Sequence, residues 1–289
     1  MAFEITCSGN ITTLSGLKNF DIESILECGQ CFRWDKNNEN DYTGIVKDKA
    51  VRIVQTKDAA RFYGCTCSDF KEIWNDYFDM STDYGAIIST LTTNDDVMKM
   101  AAEFAPGIRI LRQPLFETLI SFIISANNSI PNIRRVIARL SKMYGEKIDT
   151  EFGAFYKFPD PGVLGTADVS EIAFSKAGFR SKYIKKTAKE FNENPITTDQ
   201  LKNLGYTGAK KELMKYPGVG AKVADCTLLF SGAYTNAFPV DVWVKKIMEE
   251  LYLKKDTPLG AISDYASEKF GELGGYAQQY LFYYARSNT

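Results

Sequence analysis

Lys210-Lys-Glu-Leu-Met-Lys-Tyr-Pro-Gly-Val-Gly-Ala-Lys-Val-Ala-Asp-Cys-Thr-Leu-Leu-Phe230 reads as a helix, a tight hairpin and a second helix. Pro217 cannot continue a helix and stops the first one. Gly218 and Gly220 supply the φ > 0 values and the close backbone approach of the turn. The N–H groups of the turn and of the second helix's start then face outward together. Such a place binds anions, phosphate foremost. Lys222 falls in the first turn of the second helix, where the helix dipole opposes a cation. That placement is poor for helix stability. It suits a lysine that must shed its proton and act as a nucleophile. Cys226 follows four residues later on the same helix face. The plain alternative is a surface lysine on phosphate and a buried cysteine.

Nineteen residues beyond Lys222 comes Phe238-Pro-Val-Asp-Val-Trp-Val-Lys-Lys-Ile-Met248, with its carboxylate at Asp241. Asp241 reads as the N-cap of the helix that starts after it. A capped aspartate is fixed in place and ionised, which suits a carboxylate that stabilises developing positive charge. The two roles are compatible.

The rest of the chain sets bounds on this chemistry. It has 289 residues, 45% of them hydrophobic and 25% charged, enough for a sizeable core without covalent staples. It has no histidine. That excludes Ser-His-Asp and Cys-His catalysis and His-ligated metals, and leaves proton transfer to Asp, Glu, Lys, Tyr or Cys. Cys28-Gly-Gln-Cys31 has the spacing of a redox or metal site, but Cys65-Thr-Cys67 is a poor second half, so the cysteines are expected to be reduced thiols. The net charge of -1 hides an asymmetry: residues 109–246 carry 21 basic and 13 acidic side chains, the remainder 14 and 23. The middle of the chain is where a polyanion would bind. No apolar run reaches membrane-spanning length, and the start lacks a secretory pattern. The expectation is an intracellular monomer, cytoplasmic and nucleoid-associated if the source is bacterial.

The pattern predicts an α+β fold: a small N-terminal antiparallel sheet over residues 1–85 and a mainly helical body over 86–289. Asp41-Tyr-Thr-Gly-Ile-Val-Lys and Ala50-Val-Arg-Ile-Val-Gln-Thr alternate apolar and polar residues around a Lys47-Asp48-Lys49 turn. Residues 29–34 also look extended. Helices follow from about Tyr84. The acidic pair Asp95-Asp96 caps one, and residues 114–126 form another that is apolar nearly all round and therefore buried. Pro131 opens the next. Further helices are expected near 170–177, 181–191, 199–204 and 276–285. The hairpin occupies about 208–232 and the Pro-Val-Asp region 238–241.

Pro-Gly-Val-Gly-x-Lys-Val-Ala-Asp-Cys followed by Pro-Val-Asp resembles the helix-hairpin-helix/Gly-Pro-Asp DNA glycosylase superfamily, whose bifunctional members carry the lysine. The 8-oxoguanine branch is similar along nearly the whole chain: Gly29-Gln-Cys-Phe-Arg-Trp34, Ser125-Ala-Asn-Asn-Ser-Ile130, Phe179-Arg-Ser-Lys-Tyr183 and Ala277-Gln-Gln-Tyr-Leu-Phe282. The resemblance implies attack by Lys222 on the sugar C1′ of a flipped nucleotide, a Schiff base, and β-elimination, with Asp241 stabilising the cationic sugar. It gives the Gly29 carbonyl the task of sensing the N7–H that distinguishes 8-oxoguanine from guanine, whose N7 is an acceptor. Gln278 would read the Watson–Crick edge, with Phe282 and Cys226 on the two faces of the base. Asn127 would fill the vacated space, and Arg180 and Phe179 would meet the opposite base. Asn128, Asn132, Gly218, Gly220 and Trp243 complete the implied DNA-facing set.

Three positions depart from the better-known members. Asn132 stands where they have a second cytosine-reading arginine, Phe179 replaces a tyrosine and Trp243 replaces a phosphate-binding histidine. These departures predict a relaxed demand for cytosine opposite the lesion. No cofactor is implied beyond a monovalent cation or calcium on the hairpin carbonyls of Met214, Tyr216 and Val219. The absence of a four-cysteine cluster speaks against the iron–sulfur members. The implied partner is duplex DNA containing 8-oxoguanine. The competing functions are a non-catalytic hairpin module that binds DNA, and an alkyl-base glycosylase of the same fold, which would lack the lysine.

Overall fold

The computed structural model describes residues 3–288. A six-stranded antiparallel sheet is built from β1 (Glu4–Ser8), β2 (Ile11–Ser15), β3 (Trp34–Asn38), β4 (Asp41–Val46), β5 (Lys49–Gln55) and β6 (Ala59–Tyr63) in the order β1-β2-β6-β5-β4-β3. Alternation fixes the register. In β5, Val51 and Ile53 are fully buried, while Arg52 points away to pair with Asp41 at 2.7 Å. The β4–β5 turn is two residues, shorter than expected: Lys47 takes φ +55° and Lys49 already pairs with Val46. The buried face packs on a cluster of Trp34, Phe62, Phe70, Trp74, Tyr77 and Phe78. Each such large apolar side chain contributes on the order of 1.5–3 kcal/mol of burial.

Residues 29–33 are not a strand, contrary to the expectation; β3 begins only at Trp34. A short helix, Ile22–Glu27, precedes them, capped by Asp21 accepting from Ser24 N at 2.7 Å. The chain then turns through Gly29 at φ +82°. This turn is tied to the linker that enters the helical body. Gln30, fully buried, donates from Nε2 to the Arg109 carbonyl at 2.7 Å and accepts Leu111 N–H on Oε1 at 2.8 Å. Its own carbonyl accepts from Gln113 at 2.8 Å. A glutamine satisfied on every side is a rigid splice between the sheet and the helices.

The expected reduction of all cysteines fails at one pair. Cys7 and Cys67 form a disulfide, with 5.9 Å between their Cα atoms. Strand order explains the meeting: β1 pairs with β2 and β2 with β6, so Cys7 lies beside the segment that leaves β6. Cys28, Cys31, Cys65 and Cys226 are free and buried.

Several of the expected helices are present in the helical body, though the one expected near 170–177 ends at Ala173. Asp95 caps Asp96–Phe104, Leu115–Ser125 is buried almost throughout, and Ile130–Tyr144 carries Pro131 in its first turn. Elements not expected from the sequence include a small hairpin pairing Lys147–Thr150 with Gly153–Tyr156, the Pro161–Thr166 helix and the Leu259–Phe270 helix. The last helix, Gly274–Ser287, approaches the hairpin's second helix closely. A Cβ at Gly275 would lie 2.3 Å from Leu229 Cδ1 and 2.6 Å from the Thr235 carbonyl. That contact brings Gln278 and Phe282 towards Lys222. No helix among the described residues is long and apolar enough to cross a membrane.

Candidate active site

The hairpin joins Gly205–Leu213 to Ala221–Phe230. The first helix ends at Leu213, so Pro217 lies in the turn and does not itself stop the helix. Its carbonyl accepts the Thr187 hydroxyl at 2.7 Å. Gly218 takes φ +83°, and a Cβ there would stand 2.7 Å from the Tyr183 ring. Gly220 corrects the expectation of positive φ. It is extended, at φ −92° and ψ −179°, and a Cβ there would meet nothing within 4 Å. Its surroundings are open above the N–H groups of the helix start, where an anion would sit.

The two glycines therefore predict different outcomes. Gly218→Ala should destabilise the fold by roughly 1–3 kcal/mol, through strain and the Tyr183 clash, measured by thermal melting. Gly220→Ala should melt like the parent yet bind duplex DNA more weakly. Equal stability of the two variants would contradict this assignment. Asp225, buried beneath the turn, accepts from Tyr206 Oη and Lys210 Nζ, both at 2.7 Å, and so clamps the two helices together.

Lys222 emerges from the second helix into a groove of about 1260 Å³, which continues inward as a recess of about 40 Å³. Gly29, Lys222, Asp241 and Phe282 line both. Lys222 Nζ lies 3.3 Å from Ser125 Oγ and 5.1 Å from the centre of the Phe122 ring. Asp241 caps Val242–Ile247, accepting from Trp243 N at 3.0 Å and Val244 N at 2.9 Å. Burial raises the Asp241 pKa, and the two N–H groups and the nearby Lys222 charge only partly oppose that. Burial likewise pushes the Cys226 thiol up to about 12, so it presents a neutral, polarisable surface to the recess.

Gly29, Cys226, Gln278 and Phe282 meet at the inner recess although the chain separates them widely. A Cβ on Gly29 would lie 3.1 Å from the Phe282 ring and 3.3 Å from Arg286 Nη1, so only glycine fits this turn without strain. Two supports here were not anticipated. Gln279 donates to the Cys28 carbonyl at 2.8 Å, and Arg286 donates to the Glu27 carbonyl at 2.5 Å while lying over the Phe282 ring at 5.6 Å. Gln278 is 4% exposed, and its Oε1 has no hydrogen-bond partner among the described residues. A buried orphan acceptor costs about 1–3 kcal/mol, and a ligand donor would recover it.

The Asn127 loop forms one wall of the outer groove. Asn127 is exposed and left-handed, at φ +49°. Arg180 holds it from behind: Nη2 donates to the carbonyls of Ala126 and Asn127, the latter at 2.8 Å, and Nε donates to Ala126 at 3.0 Å. Its guanidinium also covers the Phe179 ring at 4.5 Å. Phe179 itself is 64% exposed. Asn128 is spent on the loop, donating to the Ile124 carbonyl at 3.0 Å and accepting from Asn132 Nδ2 at 2.8 Å. Trp243 lines the groove beside Asp241. Among the described residues, no group of three or more Cys, Asp or Glu side chains is placed to hold a metal ion.

The chain is similar to known proteins. Residues 14–119 match the model of the 8-oxoguanine DNA glycosylase N-terminal domain, and residues 120–272 match that of the HhH-GPD superfamily base excision DNA repair proteins. The chain is 32% identical to the N-glycosylase/DNA lyase OGG1 of Arabidopsis thaliana, over 88% of this chain and 74% of that one. It is 30% identical to a probable N-glycosylase/DNA lyase of Methanothermobacter thermautotrophicus, over 72% of each. Among solved structures, the Clostridium acetobutylicum 8-oxoguanine glycosylase/lyase, in complex with duplex DNA carrying cytosine opposite 8-oxoguanine, superposes with a TM-score of 0.95. It is 41% identical over 100% of this chain and 99% of that one.

Proposed function

Because the chain belongs to the HhH-GPD superfamily of base excision DNA repair proteins and is a DNA N-glycosylase with apurinic/apyrimidinic lyase activity, we propose that it excises 8-oxoguanine through Lys222, with a relaxed demand on the opposite base. One observation carries the proposal. The same recess holds an amine and a carboxylate at its mouth and an unpartnered amide oxygen, Gln278 Oε1, in its depth.

The chemistry follows from these groups. A base inside the stack is unreachable, so the nucleotide leaves the duplex and enters the recess. The recess is far smaller than a purine, so Phe282 moves aside as the base enters. Gln278 Oε1 accepts from the N1–H and amino group of the Watson–Crick edge. The Gly29 carbonyl, which no donor reaches among the described residues, accepts the N7–H that guanine lacks. Lys222 Nζ attacks C1′. The N–C1′ bond forms as the glycosidic bond breaks, the base leaves with the bonding pair and takes up a proton, and the nitrogen sheds one. Opening of the sugar ring gives the Schiff base, and loss of a C2′ proton then expels the 3′ phosphate. Asp241 lies close enough to favour the positive charge on sugar and nitrogen. The hairpin carbonyls of Met214, Tyr216 and Val219 are the proposed seat of a structural cation. The Tyr216 carbonyl already accepts Val219 N–H at 3.1 Å and would offer its second lone pair.

The relaxed opposite-base demand rests on two of the residues that the family resemblance assigns to the opposite base. Arg180 is engaged with loop carbonyls, and Asn132 is bound to Asn128. Single-turnover excision from four duplexes that differ only opposite 8-oxoguanine tests both parts. Rates should spread by less than about tenfold, because no bidentate contact worth ~1–3 kcal/mol is free to select cytosine. An undamaged guanine should be left in place. Strict dependence on cytosine would overturn the relaxed demand. No release from any of the four would overturn the substrate.

A further inference from the structure

Ser125 ends the Leu115–Ser125 helix, and its hydroxyl hydrogen is already committed. Oγ donates to the Phe122 carbonyl at 2.8 Å. What remains on that oxygen is its lone pairs. Lys222 Nζ lies 3.3 Å away, so the direction of this contact is fixed: the amine donates and the serine accepts. Below the amine is the Phe122 ring, at 5.1 Å. That ring is itself immobilised, stacked on Phe230 at 5.3 Å and met edge-on by Phe32 at 5.7 Å. The result is a two-sided seat, an aromatic floor and a directed acceptor, for the end of a four-carbon side chain. The tether is unnecessary for the fold. The Ser125 hydroxyl is satisfied by Phe122 without the lysine, and the lysine could reach solvent through the groove.

We propose that Ser125 is a positioning residue for the nucleophile. By accepting one N–H of the Lys222 amine above Phe122, it leaves the nitrogen lone pair of the neutral amine directed into the groove, towards the C1′ of a bound nucleotide. A free lysine samples many rotamers. Attack needs the reacting atoms held about 3–3.5 Å apart, and an error near 1 Å costs on the order of a hundredfold in rate. The proposal rests on Lys222 being the nucleophile and adds the group that aims it.

Three readouts on the full chain test it, with Ser125→Ala and Ser125→Thr. They are single-turnover base release, borohydride trapping at a preformed abasic site, and affinity for the lesion duplex. An abasic site has no base to recognise, so trapping there reports the amine alone. Ser125→Ala should slow release and abasic trapping alike, by about tenfold, with affinity unchanged within about twofold. Ser125→Thr keeps the acceptor and should restore both rates. Wild-type rates in Ser125→Ala would overturn the proposal. So would slowed release with normal abasic trapping, which would assign Ser125 to the base pocket. A threonine variant as slow as alanine would overturn it too. Failure of the wild-type chain to trap at an abasic site would instead remove Lys222 as the nucleophile, a separate outcome.

Discussion

Lys222→Gln abolishes the borohydride-trapped complex and reduces base release by at least about 10³-fold, while the lesion duplex still binds. Glutamine has no nucleophilic nitrogen, so the covalent route is closed, not slowed; losing a nucleophile ordinarily costs several orders of magnitude. The shorter amide need not reach Ser125, whose hydroxyl stays satisfied by the Phe122 carbonyl, so the fold around the groove persists. Affinity should change by less than about tenfold, because a single positive charge is removed and the rest of the proposed DNA-facing groove is unchanged. Stability should hold or rise slightly, since the substitution relieves a cation in the first turn of a helix, an effect of about 0.3–1 kcal/mol. Residual trapping, or release at wild-type rate, would assign the nucleophile elsewhere. Single-turnover kinetics and thermal melting on the same preparation separate loss of chemistry from loss of fold.

Asp241→Asn should reduce excision by about 10²–10³-fold, the range seen when a preorganised electrostatic group is removed. Asparagine keeps an oxygen for Trp243 N–H and Val244 N–H, so the helix cap survives and only the charge is lost. The pH dependence follows from burial. Asp241 has a raised pKa in the fold, so the folded chain takes up this proton more readily than the unfolded one. Ionised Asp241 therefore costs stability once pH is above its folded pKa, and that cost disappears as pH falls below the ordinary carboxylate range. The asparagine variant should melt higher than the parent at neutral pH and lose that advantage in acid. Wild-type excision should fail on acidification through the raised Asp241 pKa, above the usual carboxylate range, and the variant should lack this limb. A less stable variant at neutral pH, or an unchanged acid limb, would contradict the assignment. Circular dichroism melts and single-turnover rates across pH give both answers.

The local parts of the site were legible in the sequence because their causes are local. A proline and two glycines between helical stretches announce the hairpin, and an aspartate ahead of Val242–Ile247 announces its cap. Long-range consequences were not. Ser125 meets Lys222 across 97 residues, and Arg180 reaches the Asn127 carbonyl across 53. Nothing in the residue pattern separates an arginine that faces solvent from one that pins a loop. Cys7 and Cys67 meet only through strand order, which alternation alone does not fix. The extended look of residues 29–33 misled because the segment is held by Gln30 and not by strand pairing; the partners that tie Gln30 to the linker lie 79 to 83 residues away. Glycine at 220 promised positive φ but serves as open ground above a helix start.

Covalent capture on a duplex containing a single 8-oxoguanine, followed by digestion and mass mapping, decides whether Lys222 is the nucleophile. Borohydride should freeze one adduct, a reduced sugar remnant on the peptide that contains Lys222, with 8-oxoguanine released in equal amount. An adduct on another lysine or on the N-terminal amine, or base release with no adduct at all, would contradict attack by Lys222.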